Sequence, residues 1–125
     1  MKKLPESVRA AWAQREGPVV LATADAAGAP NAIYATCVQE YGDDTIVIAD
    51  NYLKKTRANI LAGSKGALLF ITKERKSYQL KGSFAYHTSG SVFEAMKRWN
   101  PATLPGHAAV TLKIERIYCG DLQLL

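Results

Sequence analysis

The chain has 125 residues, a formal net charge of +5, and 48% apolar and 22% charged residues. That length suits one domain over residues 1–125 with a modest core, and the composition excludes a disordered chain. No apolar run approaches the ~20 residues that cross a bilayer, and the basic start Met1-Lys2-Lys3 has no apolar stretch behind it, so neither a membrane span nor a signal peptide is expected.

In chain order, Pro5 to Glu16 reads as a helix. Pro5 suits its first position, Val8, Ala11 and Trp12 form a narrow apolar stripe, and Gly17-Pro18 ends it. Trp12 reads as a packing anchor. Pro18 to Ala24 is a short β-rich run, followed by a turn through Gly28 and Pro30. Asn31 to Tyr41 reads as one long second strand. Ile33, Ala35, Cys37 and Gln39 would share one side, and Ala32, Tyr34, Thr36 and Val38 the other. After a Gly42-Asp43-Asp44 turn, Thr45 to Ala49 is an apolar strand suited to burial on both faces.

A short polar joint then leads into a helix through Lys54-Lys55-Thr56-Arg57. Leu53, Ile60 and Leu61 form its expected stripe, and Gly63 suits its end. Its charge breaks a local rule. A helix start carries partial positive charge and favours Asp or Glu, yet Lys54, Lys55 and Arg57 crowd this one. Such a break points to a compensating partner or a site. The simplest partner is an anion such as phosphate, bound by free backbone N–H groups with Lys and Thr side chains added. A solvated basic turn is the plainer reading.

Gly66 to Thr72 is the fourth strand, and Lys73 to Lys76 a solvated turn. Tyr78 to Thr88 is a fifth strand interrupted by Gly82, which marks a bulge or a close backbone approach. Ser91-x-x-Glu94 fits a capping box, with Val92, Ala95, Met96 and Trp99 as a core stripe behind it. Asn100-Pro101 stops that helix, and Ala108 to Tyr118 is the last strand, alternating through Val110, Leu112 and Ile114. Short loops between strands favour antiparallel pairing. The expectation is α+β and mainly β: six antiparallel strands in a small barrel capped by about three helices.

No catalytic signature stands out. There is no GxGxxG or P-loop, no nucleophile elbow around the serines, and no pair of carboxylates placed for glycoside chemistry. His87 and His107 are not spaced as metal ligands, and Cys37 and Cys119 read as reduced thiols of a cytoplasmic protein. A chain without reactive side chains can still do redox chemistry if a cofactor brings it. The other reading these residues leave open is a small basic barrel that binds single-stranded RNA, supported by the aromatics Tyr34, Tyr52 and Tyr78. The basic residues are spread along the chain, however, and no RNP-like motif occurs.

Several motifs together resemble the FMN-binding split barrels related to pyridoxamine 5′-phosphate oxidase, above all their small bacterial FMN-binding members. The carriers are Gly28-x-Pro30 leading into the second strand, Ile46 to Asn59 with Lys55-Thr56-x-x-Asn59, Lys81-Gly82-Ser83-x-Ala85, and Ser91-x-Phe93-Glu94-Ala95. The resemblance implies a six-stranded antiparallel split β-barrel with about three flanking helices, assembled as a homodimer with FMN at the subunit interface, and a flavin-dependent oxidoreductase or electron-transfer role. It implies that Lys55 and Thr56 hold the phosphate, with Lys54 as a further contact. Ile33, Tyr34, Ala35 and Thr36 would line the ribityl chain and ring, and Ala49, Asp50 and Asn51 would meet the ring's polar edge, largely through backbone groups. Related barrels use deazaflavin or haem instead. Two departures count against vitamin B6 oxidation. The arginine-rich, histidine-bearing C-terminal segment of true pyridoxamine-phosphate oxidases is absent, and Ile33 stands where those oxidases commonly carry arginine.

Overall fold

The computed structural model describes residues 3–125; Met1 and Lys2, part of the basic start, lie outside the described residues. The elements are α1 (Glu6–Ala13), β1 (Val19–Ala24), β2 (Pro30–Ala35), β3 (Val38–Tyr41), β4 (Thr45–Asp50), α2 (Lys54–Leu61), β5 (Lys65–Ile71), β6 (Ser77–His87), α3 (Ser91–Trp99), β7 (Ala108–Cys119) and β8 (Leu122–Gln123). All strand pairs are antiparallel. The sheet runs β2-β1-β5-β6-β7-β4-β3, with β8 beside β7.

The expected second strand is therefore two strands, and with the short β8 the expected six become eight. The break falls at Thr36-Cys37. β2 pairs with β1 at one edge of the sheet, while β3 pairs with β4 at the other. The chain steps directly from one edge to the other, so the sheet has to curl into a split barrel. The Ala49 N–H donates to the Cys37 carbonyl (2.9 Å) at this crossing. The break also shifts the side-chain phase. Ala35 and Val38 are both buried, whereas unbroken alternation had put them on opposite faces.

The barrel interior is filled by Leu21, Ile46, Ile48, Leu68, Leu80, Val110, Leu112 and Ile117. Helix α1 adds Val8 and Trp12. The Trp12 ring meets Phe70 edge-on at 5.3 Å, and Phe70 stacks on Tyr78 at 5.2 Å. Trp12 is thus a packing anchor, as its position in the stripe suggested. Tyr78 is buried in the same stack, which removes one of the aromatics offered for RNA. Val47, Ala49 and Ala109 face outward and are covered by Val92 and Met96 of α3. Strand β4 is accordingly buried on both faces, the reason its sequence is uniformly apolar.

Two helix details differ from expectation. Leu61 is 62% exposed, and the inward face of α2 carries Thr56 and Asn59 beside Leu53 and Ile60. Ser91 does not cap α3. Gly90 occupies the cap position, and no side chain bonds there.

Gly82 marks a bulge. The β6–β7 register slips there: Lys81 faces Arg116 and Gly82 faces Ile114, leaving Glu115 as the extra residue. Glu115 and Arg116 both point to solvent, which explains why alternation fades after Ile114. A Cβ at Gly82 would lie 1.8 Å from the Lys113 carbonyl oxygen, a backbone atom that cannot swing aside. Gly82→Ala is expected to destabilise the fold by about 3 kcal/mol or more, or to prevent folding. Urea unfolding checks this, and an unchanged midpoint would count against the bulge as a constraint.

Candidate functional site

A cleft of about 400 Å³ lies where β2 meets the joint between β4 and α2. Ile33, Tyr34, Ala35, Thr36 and Cys37 line it from one side, Ala49, Asn51, Tyr52 and Leu53 from the joint, and Leu104 from the loop after α3. Six of the residues picked out by resemblance therefore share one concavity: Ile33, Tyr34, Ala35, Thr36, Ala49 and Asn51. Lys54 and Lys55 follow directly on Leu53, are exposed, and form no ion pair among the described residues. Asp50 and Thr56 do not line the cleft; both are buried beside it.

Asp50 has no exposed surface, and its carboxylate accepts four hydrogen bonds. Arg57 donates twice, Nε to Oδ2 (2.6 Å) and Nη2 to Oδ1 (3.1 Å). The Tyr86 hydroxyl donates to Oδ2 (2.5 Å), and the Leu53 N–H to Oδ1 (3.1 Å). Burial pushes this carboxyl up, but the Arg57 and Tyr86 hydrogen bonds, the Leu53 N–H and the Arg57 charge together hold it below its ordinary value. The same pairing raises the Arg57 guanidinium. Burial, and then the bond to Asp50, push the Tyr86 phenol up. Of the three cations at the start of α2, Arg57 thus has an internal partner.

Asn51 faces the other way. Its Nδ2 donates to Asn100 Oδ1 (3.0 Å), and Asn100 Nδ2 donates back to Asn51 Oδ1 (2.9 Å). The Gly106 N–H also donates to Asn51 Oδ1 (2.8 Å). This clamp ties the 100–106 loop to the joint and brings Leu104 to the cleft. A third tether fixes α2. Asn31 Nδ2 donates to Thr23 Oγ1 (3.2 Å) and Thr56 Oγ1 (3.0 Å), and Asn59 Nδ2 to Thr23 Oγ1 (2.9 Å). Sequence reading missed Cys37, Tyr52, Leu53 and Leu104 as lining residues, and Asn100 and Tyr86 as supports. Cys37 follows directly on the predicted Thr36, and Tyr52 and Leu53 lay within the stretch singled out by charge. Leu104, Asn100 and Tyr86 come from distant elements, and no local signal marks them.

The lining offers apolar walls, two tyrosines that are each 76% exposed, and no carboxylate. As an edge strand, β2 also presents backbone N–H and C=O groups unpaired on one side. No cluster of His, Cys, Asp or Glu fit to hold a metal occurs among the described residues, and no described helix is long and apolar enough to cross a membrane.

An open, curled antiparallel sheet with three helices and a cleft at its seam defines a split-barrel protein. The chain belongs to the pyridoxamine 5′-phosphate oxidase family, whose sequence model matches residues 4–119. An uncharacterized protein of Methanocaldococcus jannaschii is 34% identical over 105 residues, 80% of this chain and 70% of that one. HupZ of Group A Streptococcus superposes with a TM-score of 0.81 at 25% identity, covering 96% of both chains. An FMN-binding protein of Syntrophomonas wolfei (TM-score 0.77, 23% identity, 94% of this chain and 97% of that one) has the same fold. So does the heme storage protein HutZ of Vibrio cholerae (0.71, 17%, 94% and 95%).

The Asp50 network has a testable sign. A depressed carboxyl pKa contributes stability that is present above the unfolded-state value of about 3.9 and lost as pH falls through the folded value. Tyr86→Phe is expected to cost about 1.5–3 kcal/mol at neutral pH, the usual loss for a hydrogen bond to a charged group. The deficit should shrink once Asp50 is protonated. Urea unfolding of both proteins at neutral and acid pH checks it, and a deficit independent of pH would remove Asp50 as its cause.

Proposed function

We propose that the protein binds FMN in this cleft and serves as a flavin-dependent oxidoreductase or electron carrier, not as a vitamin B6 oxidase. The observation that carries the reading is the juxtaposition of an apolar, carboxylate-free cleft with two exposed lysines at the start of α2 that form no ion pair among the described residues. A flat aromatic ring with an anionic arm matches that donor set. Ile33, Ala35, Ala49 and Leu53 exclude water from the ring, and the free edge of β2 offers backbone hydrogen bonds to its polar rim. Asp50 and Asn51 have their side chains engaged elsewhere, so their share falls to backbone groups. Lys55 and Lys54 take the phosphate. The Thr56 hydroxyl accepts from Asn31 and keeps its own proton, so Thr56 offers the phosphate that O–H as well as its first-turn N–H. The exposed rings of Tyr34 and Tyr52 at the cleft favour a second copy covering it, hence a homodimer with the cofactor at the interface.

FMN, when bound, supplies the capacity to accept a hydride or single electrons. The lining holds no histidine or carboxylic acid to serve as a proton donor, so the protein's part is binding, orientation and a positive field from the lysines.

Purified protein is expected to be yellow, with a flavin spectrum that shifts to that of free FMN on denaturation. Failure to bind or quench added FMN would overturn the reading, and a Soret band in its place would point to haem. Lys55→Ala should weaken FMN binding by about 1.5–3 kcal/mol, roughly tenfold to 150-fold, while riboflavin binding changes little. Equal losses for FMN and riboflavin would place the phosphate elsewhere.

A further inference from the structure

Helix α3 covers the outer face of the sheet at β4 and β7, laying Val92 and Met96 on Val47, Ala49 and Ala109. At the other end of the sheet, the outward side chains of β2, β1 and β5 pack neither into the core nor against α3. An antiparallel sheet face left to water carries polar residues at its outward positions. That rule holds on β6, which turns Gln79 and Lys81 outward, and fails on the three strands beyond it. Strand β1 turns out Val20 and Ala22, β5 turns out Ala67, Leu69 and Ile71, and β2 turns out Ala32 and Tyr34. The register joins them into two rows, Tyr34–Val20–Leu69 and Ala32–Ala22–Ala67. None of these side chains is charged, yet Tyr34 is 76% and Leu69 42% exposed. A contiguous exposed apolar patch of this kind marks a contact surface.

The edge of the patch decides what covers it. Tyr34 also lines the cleft, and with Val20, Ala32 and Ile33 it bounds an apolar hollow of about 240 Å³ on this face. A body seated on the patch therefore abuts the cleft, where the Tyr34 and Tyr52 rings lie open. With no charge to select an unlike protein, the patch has the composition of a permanent contact between like subunits. Its relief suits a copy of itself. A protruding Tyr34 ring beside a flat alanine row offers both the knob and the hollow that a two-fold, self-complementary contact requires.

We propose that a second copy of this chain docks on the outer face of β2, β1 and β5 and closes the cleft from outside, so that the site is complete only in the dimer; the closure of the cleft rests on the FMN reading. Sedimentation of the flavin-free protein, followed by titration of the same samples with FMN, tests it. The wild type is expected to be a dimer. Leu69→Arg and Ile71→Arg should each be monomeric, with unchanged far-UV circular dichroism because both side chains point to solvent. Leu122→Arg changes a more exposed leucine (62%) outside the patch and should remain dimeric. Leu69 lies two strands from β2 and does not line the cleft, so its substitution reaches bound FMN only through the partner copy. The Leu69→Arg monomer should bind FMN roughly tenfold or more weakly. Riboflavin should lose as much, unlike the phosphate-specific loss in Lys55→Ala. A monomeric wild type, a dimer that survives both patch substitutions or is lost in Leu122→Arg, or a Leu69→Arg monomer with wild-type FMN affinity would each overturn the proposal. A wild type that is dimeric but binds no FMN would sink the FMN reading alone, because the flavin-free sedimentation still decides the docking face.

Discussion

A carboxylate with no exposed surface sits where β4 gives way to α2, and the cleft depends on how it is satisfied. Burying an ionised Asp50 would be prohibitive without partners. Arg57, Tyr86 and the Leu53 N–H supply four hydrogen bonds drawn from the helix, from β6 two strands away in the sheet, and from the joint itself. They also answer the charge anomaly at the start of α2. The acidic group that the helix dipole favours is present, but it comes from the end of the preceding strand rather than from the first turn. Arg57 is neutralised from inside, and Lys54 and Lys55 are left exposed beside the cleft.

The same joint is tethered in two further directions. Asn51 and Asn100 exchange side-chain hydrogen bonds and, with the Gly106 N–H, hold the loop that carries Leu104. Thr23, Asn31, Thr56 and Asn59 bolt α2 to β1 and β2. Each buried polar side chain of this group has a partner, as burial requires. The cleft wall is therefore assembled from rigid contacts rather than from a free loop, the condition a binding site needs in order to orient what it holds.

Sequence and structure agree most closely where the signal is local. The apolar run of β4 declared burial on both faces, the stripe of α1 placed Trp12 in the core, and Gly82 announced the bulge. Agreement fails where partners are remote. Nothing in Asn31 to Tyr41 marks the break at Thr36-Cys37, because both halves have strand-compatible residues and only pairing with opposite sheet edges separates them. Leu61 looks like part of an apolar stripe, yet Thr56 and Asn59 take the inward face because their hydrogen-bond partners on β1 and β2 are there. Tyr78 resembles a surface aromatic until Phe70 stacks on it.

By itself, then, the sequence determined the order of the helices and strand runs apart from the split of the second run and the short β8, the antiparallel pairing implied by short loops, the family, and the stretch from Ile46 to Asn59 as the place to look. Those properties reside in neighbouring residues: periodicity, turn chemistry and charge within one or two helical turns. Only the tertiary structure decided that β2 and β3 occupy opposite edges. It also decided that Arg57 belongs to Asp50 while the lysines stay exposed beside the cleft, and that Leu104 reaches the cleft through an Asn51–Asn100 clamp. Each of these rests on contacts between groups far apart in the chain, where curling of the sheet brings the partners within hydrogen-bonding distance and no local pattern records it.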